Sequence, residues 1–232
     1  VEENFLPEVT MNQVENGYGG IDACESEDKP IGVTYPLFGD FAYNFEFSSC
    51  YNKQLQRWWF NLDNNHSFIL NYIYEICEEN IPQERELIYD WRDFPIDYGC
   101  DKILLDLVNQ FSYGGGMAHY ILQSVVEVHE QAHLNDNLYF INKNKSNLYY
   151  NLTNDLKGCN EFNTIEEANN YWQERIELYF AEYKTNVQND ISKYKRSFGD
   201  KAKFEQAAHS YLTVQSSIYD QINLALGFYG CD

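Results

Sequence analysis

Basic residues are scarce in this chain. Its 232 residues include 16 Lys and Arg against 36 Asp and Glu, a formal net charge of −20. Phosphate backbones are held by clustered Lys and Arg, so the balance argues against a nucleic-acid partner and against docking on an acidic membrane surface. Long apolar runs are missing as well. None reaches the roughly eighteen residues of a membrane span, so no span is expected. There is no CxxC pair, which argues against a zinc knuckle or a thioredoxin-type site. There is no GxSxG nucleophile elbow and no Ca²⁺ hand loop. The run Gly114-Gly115-Gly116 leads into Met117 and not into Lys-Ser/Thr, so it is read as a helix stop and not as a phosphate loop. No signal peptide is visible, and a chain that starts at Val1 reads as processed or trimmed.

What is present points to a folded, extracytoplasmic protein. Hydrophobic residues make up 44% and aromatic residues 17%, with 20 Tyr and 15 Phe, enough for a core rich in rings whose hydroxyls need partners. Six cysteines lie far apart (Cys24, Cys50, Cys77, Cys100, Cys159 and Cys231), a pattern that suggests up to three disulfides, with Cys159 and Cys231 one candidate pair. Three Asn-x-Ser/Thr sequons, at Asn65, Asn144 and Asn151, are candidate glycosylation sites and strengthen the expectation of secretion. Asn144 and Asn151 are seven apart, so both are expected on one solvent face of a helix.

The expected organisation is a single disulfide-linked domain over 1–232. Residues 1–40 read as irregular structure, 41–65 as a short β element and 66–232 as a helical body. Phe41, Tyr43, Phe45 and Phe47 alternate with smaller or polar residues as in a half-buried strand, and 54–62 is its candidate partner. Phe68, Ile69, Tyr72, Ile73 and Ile76 recur at helical spacing, which predicts a helix ending before Pro82. A short helix is expected over 83–91 and another over 103–111. The helical pattern from 117 to 157 is long enough that a break is expected near 135–137 or 142–147. Thr164 and Glu167 form a capping box for a long amphipathic helix that stops near Gly199, and a last helix runs from Phe204 to Leu226, closed by Gly227. The fold class is mainly α with a small antiparallel β element in the N-terminal part, an α+β arrangement with long amphipathic helices in the C-terminal half.

Chemistry concentrates at His129-Glu130-Gln131-Ala132-His133, an HExxH pattern. On a helix, a spacing of four puts both imidazoles on one face, where their nitrogens can reach one zinc ion at about 2.0–2.1 Å. Glu130 is rotated off that line and suits a general base that takes a proton from water. A catalytic zinc usually has three protein ligands. Asp190 is one candidate for the third, because it falls within the apolar stripe of its helix beside Val187 and Ile191, where a carboxylate needs a partner. His119 and His209 are possible ligands or supporting partners, with an ordinary structural role favoured for each.

The stretch from Val125 to His133 resembles the active-site helix of the zincin metallopeptidases. The resemblance implies that His129 and His133 are zinc ligands and Glu130 the general base for peptide hydrolysis. The longer form with a third histidine does not match, since Asp136 and Tyr139 stand where its glycine and last histidine would be. The other large zincin group takes its third ligand from a glutamate on a downstream helix, which makes Glu166 and Glu177 candidates, with Glu167, Glu174 and Glu182 in the same region. The expected function is a secreted zinc-dependent metallopeptidase acting on a peptide or protein substrate. The alternative is a non-catalytic secreted acidic glycoprotein that binds a partner or serves as an extracellular structural component.

Overall fold

The computed structural model describes residues 8–62, 67–157 and 162–230. The fold is α+β, with small sheets in the N-terminal part and long helices in the C-terminal half. The strands are β1 (Val9–Val14), β2 (Gly32–Pro36), β3 (Ala42–Asn44), β4 (Phe47–Asn52), β5 (Arg57–Leu62), β6 (Ser67–Ile76), β7 (Glu86–Ile88) and β8 (Tyr120–Leu122). The helices are α1 (Cys100–Asn109), α2 (Gln123–Lys157), α3 (Ile165–Ser197), α4 (Lys201–His209) and α5 (Leu212–Tyr229). Contacts group the chain into two compact units. The first takes residues up to Asn12, Leu37–Asn71 and Asn137–Lys193; the second takes Gln13–Pro36, Tyr72–Asp136 and the chain from Tyr194 on.

In the first unit, β3 pairs antiparallel with the start of β6, Tyr43 opposite Phe68. β4 and β5 form a two-stranded ladder with Cys50 opposite Trp59. Its core is a ring cluster: Tyr43 stacks on Phe68 at 4.6 Å between centroids, and Phe41, Phe180 and Tyr183 close around them. The buried Tyr183 hydroxyl donates to the Ile141 carbonyl at 2.9 Å, the kind of partner a ring-rich core requires. Asn144, expected to carry a glycan, is buried and donates its amide to the Phe140 carbonyl at 2.9 Å and to Asp190 at 3.2 Å, so it is a structural amide and not a solvent-facing acceptor site. Asn151 is half-buried, and Asn65 lies outside the described residues.

In the second unit, β2 pairs antiparallel with the end of β6, from Gly32 opposite Ile76 to Pro36 opposite Tyr72. β7 and β8 pair in parallel, Leu87 opposite Ile121. The core joins Ile103 and Leu107 of α1, Leu122 of β8, Val125 of α2, and Val214 and Ile218 of α5. The Cys24–Cys77 disulfide staples the segment before β2 to the end of β6. Cys100 is also in a disulfide bond. Cys50, expected to be bridged, is a free, exposed thiol. Cys159 and Cys231 lie outside the described residues.

Several elements differ from expectation, each for a local reason. Residues 67–76 form strand β6 instead of a helix; the run is rich in Phe, Ile and Tyr, which suit a pleated surface, and Phe68 and Leu70 are buried at a spacing of two. β1 and β2 occupy part of the segment expected to be irregular. Residues 83–91 hold β7 and a turn capped by Asp90, whose carboxylate accepts from the Arg92 N–H at 2.9 Å. Residues 120–122 are strand β8, and α2 starts only at Gln123, the Ser124 N–H of its first turn donating to the Tyr89 carbonyl at 3.0 Å. α2 then runs 35 residues without the expected break. Thr164 caps α3 as expected, accepting from the Glu167 N–H, while the Glu167 carboxylate reaches back to the Asn163 N–H. The last helix is two: α4 ends at His209, Tyr211 is extended, and α5 closes on Gly230 in the left-handed region and not on Gly227.

Candidate metal centre

All the residues of this centre belong to the second unit. The HExxH residues lie on α2, which leaves β8 with its apolar side against the core, so Val125 and Ala132 are buried and His129 is only 2% exposed. Gly199 ends α3 in the left-handed conformation, and the Asp200 side chain then caps α4 by accepting from the Lys203 N–H at 2.8 Å. Phe204 and Ala208 bury one face of α4, and Glu205 stands beside that face.

Glu205 Oε2 lies 2.7 Å from His133 Nε2 and 3.2 Å from His129 Nε2, and the two Nε2 atoms are 3.1 Å apart. Burial alone would push the Glu205 carboxyl up, but hydrogen bonds from both imidazoles and their charges overcome it and hold it at about 2. The His133 ring stacks on Phe204 at 4.9 Å, and the Tyr113 ring lies 5.0 Å from that of His129, so both imidazoles are held by rings.

This donor set fits a zinc ion. Two imidazole nitrogens and a carboxylate oxygen are its usual ligands, and at bond lengths of 2.0–2.1 Å a tetrahedral set has edges of about 3.3–3.4 Å. The three edges here, 2.7 to 3.2 Å, are slightly shorter. His129 Nδ1 is buried without a hydrogen-bond partner, so the polar contacts of this ring are made through Nε2. The only other group of potential ligands among the described residues is Cys24, Cys77 and Glu79, whose two sulfurs are spent in the disulfide.

Glu130 is not in the ligand group. It is 3% exposed and lines a cavity of about 310 Å³ together with His129, Glu205 and His209. Burial pushes its carboxyl up, the nearby His129 and His133 pull it down, and Glu205 adds to the rise. β2 passes close by. Thr34 Oγ1 donates to the Glu130 carbonyl at 3.0 Å, and a Cβ on Gly32 would lie 2.5 Å from Val126 Cγ1 and 3.0 Å from Glu130 Oε1. Glycine at 32 is therefore what lets the strand approach the carboxylate. The cavity wall before β2 is held by the Asn80 amide, which donates to the Cys24 and Pro30 carbonyls at 2.9 Å, and by a Lys201–Asp28 ion pair at 2.8 Å. On another side, the Arg85 guanidinium ties down the triple-glycine loop through the Gly114 and Gly116 carbonyls. Gly114, Gly115 and Gly116 all have positive φ, which glycine adopts without strain.

The expected third ligands are elsewhere. Asp190 is paired with Lys143 at 3.0 Å and accepts from Asn144; Glu177 accepts from Gln173; Glu166 sits in the first turn of α3. None of them belongs to the His129–His133 group, whose carboxylate is Glu205. The signal that could have found Glu205 is its place on a short capped helix beside Phe204, Ala208 and His209, all buried. His119 is bound to the Glu84 carbonyl through Nδ1 and takes no part. His209 lines the cavity, its Nε2 2.6 Å from the Gln110 carbonyl.

Comparison with known proteins finds no family model that matches the chain, no matching curated protein and no matching solved structure.

Proposed function

We propose that the protein is a secreted zinc-dependent metallopeptidase, with His129, His133 and Glu205 as the metal's ligands and Glu130 as the general base. The observation that carries this reading is the meeting of a carboxylate from α4 with both HExxH imidazoles in a buried group at 2.7–3.2 Å. A zinc ion bound there supplies a Lewis acid that polarises a carbonyl and activates water. Glu130 receives the proton at its carboxylate and delivers it to the leaving amine; its burial, which raises its proton affinity, suits that exchange. The apolar cavity walls of Ile31, Ile121, Val125 and Val126 suit a substrate side chain. Secretion is supported by the Cys24–Cys77 disulfide, and no helix among the described residues is long and apolar enough to cross a membrane.

The test is Glu130→Gln. Peptide cleavage is expected to fall by about 10²–10⁴-fold while zinc content, read by elemental analysis, is unchanged. A zinc-loaded Glu130→Gln variant with wild-type activity would remove Glu130 from the reaction. A zinc-loaded wild type inert toward a broad peptide library would favour the non-catalytic binding role.

A further inference from the structure

Two buried ring nitrogens in the centre are left without a partner, His129 Nδ1 and His209 Nδ1. They belong to neighbouring rings, whose centroids are 5.3 Å apart at an interplanar angle of 50°. Both side chains are almost fully enclosed, at 2% and 4% exposure, so bulk water does not satisfy either nitrogen. The rest of each ring is committed. His129 Nε2 faces Glu205 and His133. His209 Nε2 lies 2.6 Å from the Gln110 carbonyl, which can only accept, so His209 Nε2 carries the proton and its Nδ1 is a free acceptor. α4 links the parts, since His209 follows the ligand Glu205 by one turn.

Resting on the metal reading, we propose that His209 is a positioning residue: its Nδ1 accepts the His129 Nδ1 proton and holds His129 in the tautomer whose Nε2 lone pair faces the metal. A ligating imidazole must be neutral, so once Nε2 serves the metal its proton sits on Nδ1. That N–H, buried, needs an acceptor, and metal-bound histidines almost always find one in a carboxylate, a carbonyl or water. Here the unpartnered acceptor beside it is a second imidazole, itself anchored to the backbone through Gln110. The pairing requires the two neighbouring rings to turn toward each other. The chain Gln110 carbonyl, His209, His129 then ties the metal centre to the end of α1 and satisfies both nitrogens at once.

The experiment compares the full-length wild type with His209→Ala and His209→Asn, using zinc alone as the probe. Zinc affinity by chelator competition is expected to fall 10- to 100-fold in H209A. In H209N the amide oxygen can accept the same proton, and part of the loss is expected to return. Removing an imidazole for purely structural reasons would not give that rescue. A direct readout needs no variant: ¹⁵N NMR of the zinc-loaded wild type is expected to show coupling between His129 Nδ1 and His209 Nδ1 across the hydrogen bond. Zinc uptake by the wild type without that coupling, or a folded H209A that binds zinc as tightly as the wild type, overturns this inference and leaves the metal reading standing. No zinc uptake by the wild type overturns both.

Discussion

Two carboxylates in this molecule are met by side chains of α2, and they are met differently. Asp190 of α3 faces Lys143 and Asn144: an ammonium at 3.0 Å and an amide at 3.2 Å, with Asp190 itself partly open to solvent. Its carboxyl is held below the usual range first by the Lys143 and then by the Asn144 hydrogen bond. Glu205 of α4 faces two imidazoles, is more deeply buried, and among the described residues has no lysine or arginine within ion-pair distance, Lys195 acting on it at longer range. The first arrangement is complete: a permanent cation neutralises the charge. The second is complete only if protons or a metal supply positive charge, since neutral imidazoles are lone-pair donors as readily as proton donors. The apolar-stripe reasoning that pointed to Asp190 found a carboxylate that needed a partner, and the partner is a lysine.

The comparison can be broken most sharply by deleting the carboxylates in turn. Glu205→Ala is expected to abolish both zinc retention and peptide cleavage, whereas Asp190→Asn leaves both at wild-type level; metal analysis and a cleavage assay read this directly. The two sites should also differ in their response to the ion itself. Zinc at a hundred times its dissociation constant is expected to stabilise the wild type by about 2.7 kcal/mol in thermal or denaturant unfolding, and to leave Glu205→Ala unmoved. A wild-type melting curve that is indifferent to zinc would remove the distinction. Gly32→Ala is expected to cost about 1–3 kcal/mol through overpacking against Val126, and to lower cleavage with zinc content intact, because the other neighbour of the new methyl is the Glu130 carboxylate. Cleavage unchanged in a folded Gly32→Ala would mean that the strand does not position Glu130. The smallest effect belongs to the surface pair. Lys143 and Asp190 are both partly solvated, and Asp190→Asn is expected to cost no more than about 1 kcal/mol.

How far the sequence carries the fold varies with the element. The α+β class, the start of α3 at Thr164 and its stop at Gly199 follow from capping chemistry and spacing that act locally. β6 does not, because Phe68, Ile69, Tyr72, Ile73 and Ile76 satisfy a helical spacing while their β-branched and aromatic character satisfies a strand. What decides is the presence of β2 and β3 as partners, and β2 lay in a stretch whose Gly and Pro suggested irregular structure. The unbroken α2 is a related case. Its asparagines at 135, 137, 142 and 144 weaken the helix locally, and Asn144 shows how burial and a side-chain bond to the preceding turn retain one of them.

The candidate site divides in the same way. His129, Glu130 and His133 are legible because their relation is set by one helix turn. Glu205 is 72 residues from His133, and only the packing of α4 brings it there. The apolar stripe of α3 nominated Asp190, and the resemblance nominated glutamates of the same helix. Neither could see that the helix after the stop at Gly199 brings Glu205 against both imidazoles.

The most direct measurement is elemental analysis of the purified native protein, without added zinc and without a histidine tag, beside the Glu205→Ala and Asp190→Asn variants. The expected result is about one zinc per chain in the wild type and in Asp190→Asn, and none in Glu205→Ala. A metal-free wild type that takes up no zinc, or a Glu205→Ala variant that keeps its full zinc content, would contradict the assignment of His129, His133 and Glu205 as a metal centre.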